Sequence, residues 1–246
     1  MPAVTRTAPA AVLAAAIAIS AAACGSAGTS GASALAGLTA DQIITKAVHD
    51  LSLVSSVQEV GTEIDSGQGF AIDVTVVRGQ GCRGTMALPV TGSSAGDAAD
   101  PVALVYLNGT VYMKYDKNYM EKRGAPAATI TAVAGKYIEV TSGSAVSDFA
   151  QSCELSEVVS GLEKDETGFT KDGTATVDGQ AALGLKGQES GQKGIVYVSE
   201  SATPEILRFQ ALPTSQGSIN FLDYNAKVTI TAPPTDDIVP VGSLGS

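Results

Sequence analysis

The sequence has no tryptophan, a single histidine, three cysteines and only 5% aromatic residues. One imidazole, His49, excludes metal centres built on clustered histidines and leaves a serine nucleophile without its usual base. No G-x-S-x-G elbow occurs. Basic residues are also scarce: 15 Lys and Arg stand against 25 Asp and Glu, for a net charge of −10. That balance argues against nucleic acid as a partner and against electrostatic docking on anionic lipid. No apolar run reaches the roughly 20 residues a membrane-spanning helix needs.

The longest apolar run lies at the start. Arg6 is the only charge ahead of Cys24, and residues 7–23 are mostly Ala, Val, Leu and Ile. This pattern is that of an export signal over residues 1–23. Ser20-Ala21-Ala22-Ala23-Cys24 then resembles a bacterial lipobox, in which the Cys thiol is acylated and becomes the new N-terminus. Ala21-Ala22-Ala23 also suits ordinary signal peptidase, which would release a free secreted protein. The segment after Cys24 favours the lipoprotein. Residues 25–37 carry no charge and no aromatic side chain, and Leu35 is their only bulky aliphatic. Such a segment reads as a flexible tether with a reach on the order of 20 Å. Each buried methylene of an acyl anchor would contribute about 0.8 kcal/mol to membrane attachment.

Residues 38–246 suffice for one domain with a substantial core. With Cys24 assigned to acylation, Cys82 and Cys153 remain as an even pair, and outside the reducing cytosol they have one intramolecular connectivity. The alternative is two separately buried thiols.

The domain opens with a predicted helix. Thr39 and Gln42 form a capping box, Leu38 and Ile43 a hydrophobic staple, and Ile43, Ile44, Ala47, Val48 and Leu51 recur at helical spacing. His49 falls off that stripe, on a solvated face. The period then becomes two. Strands are predicted at 57–65, 70–78, 82–88, 102–107, 110–115, 136–141, 167–177, 180–186, 194–199, 205–212 and 218–231, with hairpin signals at Asn108-Gly109 and Asp178-Gly179. Residues 116–135 read as a short helix or a flap, and 144–162 as one or two short helices broken near Cys153. About ten antiparallel strands with one apolar face need cover. Few helices, placed at the start and middle, favour one curved sheet with helices across it over a sandwich or a closed barrel.

Motifs that mimic chemistry have plainer readings. Gly79-Gln80-Gly81-Cys82-Arg83-Gly84 matches G-x-G-x-x-G, but a strand pattern follows where a dinucleotide site needs a helix. The acidic groups at 163–166 and at Asp236-Asp237 lack EF-hand spacing and read as solvated turns. The expectation is a protein without catalytic residues, metal site or cofactor.

The order of elements resembles a known family. LTADQIITKAVHDLSLVSSV after an acylated Cys and a Ser/Gly/Ala tether, then VYLNGTVYMKY, GKYIEV, TVDGQAALGLKG, ILRFQAL and YNAKVTITAPPTDDIV, is similar to actinobacterial lipoproteins of the LppX, LprA, LprF and LprG type. The resemblance covers 38–239. It implies a LolA-like fold, α+β, with a curved antiparallel sheet forming a half-barrel and a few helices over its concave face. It also implies a non-enzymatic carrier of multiply acylated lipids or glycolipids, monomeric, and held at the extracytoplasmic face of the cell membrane by its lipid anchor.

Strand alternation nominates the cavity lining: Phe70, Ile72, Val74, Val76, Leu104, Tyr106, Val111, Met113, Leu207, Phe209, Leu222, Tyr224 and Val228. The same pattern fits a solid core, in which case the fold would serve as a protein-interaction or sensor module.

Overall fold

The computed structural model describes residues 34–65, 68–87, 100–141, 153–156, 159–160, 168–189 and 192–240. Cys24, the export signal and most of the tether lie outside them, as do the acidic group at 163–166 and much of the region 144–162. Leu35 does not belong to a free tether: it is fully buried in the main core, so the folded part starts earlier than residue 38.

Helix α1 (Ala40–Leu51) starts where the capping box predicts. The Gln42 backbone N–H donates to Thr39 Oγ1 at 3.2 Å, and the Thr39 N–H donates to Gln42 Oε1 at 2.9 Å. Its buried face is the predicted stripe, and His49 is exposed. Each fully buried aliphatic on that stripe stabilises the fold by about 1.5–3 kcal/mol.

Twelve strands among the described residues make one open sheet. They are β1 (Ser56–Asp65), β2 (Gln68–Val77), β3 (Gly81–Ala87), β4 (Pro101–Leu107), β5 (Thr110–Lys114), β6 (Tyr137–Val140), β7 (Thr170–Val177), β8 (Gln180–Glu189), β9 (Gln192–Ser199), β10 (Ile206–Ala211), β11 (Gly217–Leu222) and β12 (Ile238–Pro240). Their spatial order is β12-β6-β5-β4-β3-β2-β1-β11-β10-β9-β8-β7. All neighbours are antiparallel except β12 and β6. The chain therefore winds one half of the sheet outward from β1 and returns to build the other half, with β11 closing against β1.

Two hairpins turn as predicted. Asn108 and Gly109 have φ of 51° and 77°, and Asp178 and Gly179 have φ of 48° and 83°, the paired positive values of a two-residue turn that matches strand twist. In the G-x-G-x-x-G segment, Gly79 and Gln80 are in a turn and Gly81 to Gly84 already belong to β3, so it is not a phosphate loop.

Residues 116–135 form two short helices, α2 (Lys117–Lys122) and α3 (Ala127–Val133). Asp116 Oδ1 caps α2 by accepting from the Tyr119 N–H at 2.6 Å. Tyr119, Met120, Ile130 and Val133 join the core that α1 also covers.

The predicted long final strand is corrected. Pairing stops at Leu222, and residues 223–234 form a strap that leads through a 3-10 turn at Thr235–Asp237 into β12. Asn225, with φ of 59°, turns the chain: its Oδ1 accepts from the Ser55 N–H at 2.8 Å and its own N–H donates to the Ser56 carbonyl at 2.9 Å. Further on, the Ile230 N–H donates to Gln80 Oε1 at 3.1 Å. Alternating residues of this strap mimic a strand because Val228 and Ile230 do pack, though against a different face.

Candidate functional site

The two faces of the sheet carry different cores. The helix-covered face holds the large cluster, in which α1, α2 and α3 meet β1 to β5 and β8 to β11. The outer face holds two small clusters: Val77, Val105, Tyr112 and Ile230 under the strap, and Val177, Ala182 and Leu207 at the far side.

On the helix-covered face, strand register lines residues up in rows across the sheet. One row runs Val57, Val76, Cys82, Tyr106, Val111, Val140. The next runs Phe221, Glu59, Val74, Gly84, Leu104, Met113, Ile138. This second row is apolar apart from one carboxylate, on β1 near the middle of the sheet.

Of the nominated residues, Val74, Val76, Leu104, Tyr106, Val111 and Met113 are buried on this face, and Ile72, Phe209 and Tyr224 pack against it partly buried. Phe70 is half-buried, farther along β2. Three others lie elsewhere. Leu207 is on the outer face because β10 carries a bulge between Ile206 and Arg208, which places Ile206 and Phe209 inward and leaves Leu207 outside. Leu222 is out of phase with the buried Ile219 and Phe221, which are the inward residues of β11. Val228 belongs to the strap and packs with the outer cluster.

Cys82 and Cys153 form a disulfide, both fully buried in the main core. Leu155 and Val159 are buried there too, so the bridge holds part of the predicted second helical zone against β3.

Glu59 was not nominated. The residue is half-buried, and its Oε1 is cut off from solvent with no hydrogen-bond partner among the described residues. Burial pushes its carboxyl up from 4.5 to about 7. Its cross-strand neighbours are Val74 and Phe221. Tyr224 donates its phenolic O–H to the Ile206 carbonyl at 2.5 Å; burial, then the charges of Glu205 and Glu59, push that phenol upward.

Among the described residues, two depressions lie beside this core. A cleft of about 170 Å³ at the end of α1 is lined by Leu51, Val54, Pro204, Ile206 and Tyr224, with the exposed Leu53 at its rim. A groove of about 460 Å³ on the outer side, between Asp73, Arg83, Tyr137 and the strap at Thr231–Pro234, is more polar. Among the described residues, no helix is long and apolar enough to cross a membrane, and no group of three His, Cys, Asp or Glu side chains is placed to hold a metal.

An open antiparallel sheet with helices across one face defines a LolA-like half-barrel. The solved structure of LprF from Mycobacterium bovis has this fold: it matches at a TM-score of 0.54 with 16% identity, covering 79% of this chain and 96% of LprF. The Mycobacterium tuberculosis lipoprotein LppX is a more distant match, at a TM-score of 0.45 with 14% identity, covering 78% of this chain and 98% of LppX. No protein-family model and no curated protein sequence matches the chain.

Proposed function

We propose that this protein is a carrier or receptor for acylated lipids or glycolipids, without chemistry of its own. It works as a monomer at the extracytoplasmic face of the cell membrane, held there by an acylated Cys24. The hydrocarbon chains lie on the helix-covered face, against Val74, Leu104 and Met113, and each buried methylene contributes about 0.8 kcal/mol. The observation that carries this reading is the covering of an open, apolar sheet face by short separate helices. Such helices can move apart to admit a chain, which a second hydrogen-bonded sheet cannot do without breaking its ladder. The lipobox and the resemblance to envelope lipoproteins support the location.

Native mass spectrometry of the protein gently extracted from membranes tests the reading. Bound lipid with acyl chains is the expected result. Consistent absence of lipid, together with a stoichiometric protein partner on the same face, would replace carriage with an interaction module.

A further inference from the structure

An apolar surface needs no carboxylate, and a buried polar atom without a partner costs stability. Glu59 stands in the middle of the sheet, in a row otherwise made of Phe221, Val74, Gly84, Leu104, Met113 and Ile138. The α1 residues buried in the same core, Ile43, Ile44, Ala47 and Val48, cannot donate a side-chain hydrogen bond, and the Tyr224 phenol already gives its proton to the Ile206 carbonyl. Around the carboxyl the sheet is thin in side chains. Gly61, next on the same face of β1, and Gly84, two strands away in the same row, have none; a Cβ on either would meet backbone at 2.0 Å. Among the described residues, the buried Oε1 is thus an unfilled hydrogen-bonding position on the surface assigned to hydrocarbon.

Resting on the lipid-binding reading above, we infer that Glu59 is the specificity residue of this face, its carboxyl pairing with an uncharged hydrogen-bonding group, a hydroxyl or an ester carbonyl, of an acylated ligand. A carboxyl in apolar surroundings favours its neutral form, which both donates and accepts and so matches either group. A bare hydrocarbon cannot fill the position. The ligand is therefore an acylated lipid bound with a hydroxyl or ester oxygen drawn up to Glu59, not a lipid held by its chain ends alone.

The test is native mass spectrometry of the full chain from detergent micelles, titrated with monopalmitoylglycerol and separately with hexadecane. The wild-type protein should prefer the ester by about five- to tenfold, the worth of one net hydrogen bond. Glu59→Gln, which keeps a donor and an acceptor, should retain that preference, and Glu59→Leu should reduce it to near unity. A second readout needs no apolar variant. The infrared carbonyl band of the neutral Glu59 carboxyl, identified by its loss in Glu59→Gln, should shift on adding monopalmitoylglycerol and not on adding hexadecane. An unchanged preference in Glu59→Leu, or a band indifferent to the ester, overturns the assignment. Equal binding of both probes by the wild-type protein removes the role of Glu59 alone. Binding of neither removes the carrier reading itself.

Discussion

Cys82 of β3 and Cys153, 71 residues later, are joined through the core with their Cα atoms 5.0 Å apart. The bridge spans the chain that contains β4, β5, α2, α3 and β6, and returns it to the inner face of the sheet. By the chain-entropy argument, a loop of this length is worth about 4 kcal/mol through the unfolded state. Cys82→Ser with Cys153→Ser should therefore lower the urea midpoint sharply. Reductant should shift the wild-type midpoint toward that of the double variant and leave the variant's own midpoint unchanged.

Glu59 makes stability depend on pH. Its folded-state carboxyl titrates at about 7, above the 4.5 of an ordinary glutamate, so the folded state binds the proton more tightly than the unfolded state. The penalty for ionising it is absent below pH 4.5, grows as pH rises toward 7, and is complete above that; it amounts to about 3 kcal/mol. Its cross-strand neighbours on β2 and β11 are apolar, and Tyr224 stays neutral across this range. Glu59→Gln should match wild type at pH 4 and exceed it at pH 8 in urea unfolding. A constant difference between the two pH values would refute this.

Asn225 joins the strap to the start of β1 through its side chain while holding a positive φ. Asn225→Gly loses the hydrogen bond to Ser55, a cost of about 1 kcal/mol. Asn225→Ala loses the same bond and adds the left-handed backbone penalty of about 1–2 kcal/mol. The alanine variant should therefore be the less stable of the two by denaturant unfolding, an order opposite to their helix propensities.

Thr39 caps α1 in a reciprocal pair with Gln42. Thr39→Ala should cost about 1 kcal/mol, and Thr39→Ser should be nearly neutral. Thermal unfolding of both variants measures the difference.

Much of the fold was legible because its signals are local. The Thr39/Gln42 box, the helical stripe through Leu51, and Asn108-Gly109 each act within a few residues, and each appears where the sequence places it. The two cysteines pair for a compositional reason and are found bonded. Errors began where phase depends on a distant partner. Leu207 and Phe209 sit two apart and read as one face, but the bulge in β10 adds a residue between them. Val228 alternates with polar neighbours as a strand would, yet the strap that carries it is held by isolated hydrogen bonds to Ser56 at the start of β1 and to the Gln80 side chain, not by a strand ladder.

The amino-acid order alone determined α1, the two tight hairpins, the acidic and histidine-poor character and the one-faced strands, since capping, positive-φ turns and period-two patterning are short-range effects. Tertiary structure decided which way β1 faces. Val57 and Val60 cannot both point inward, and only pairing with Val74 on one side and Phe221 on the other turns Glu59 to the helix-covered face and leaves Val60 on the opposite side. A side-chain period of two makes the direction of every residue in a strand hang on a single register, and that register is set by partners as far away as β11.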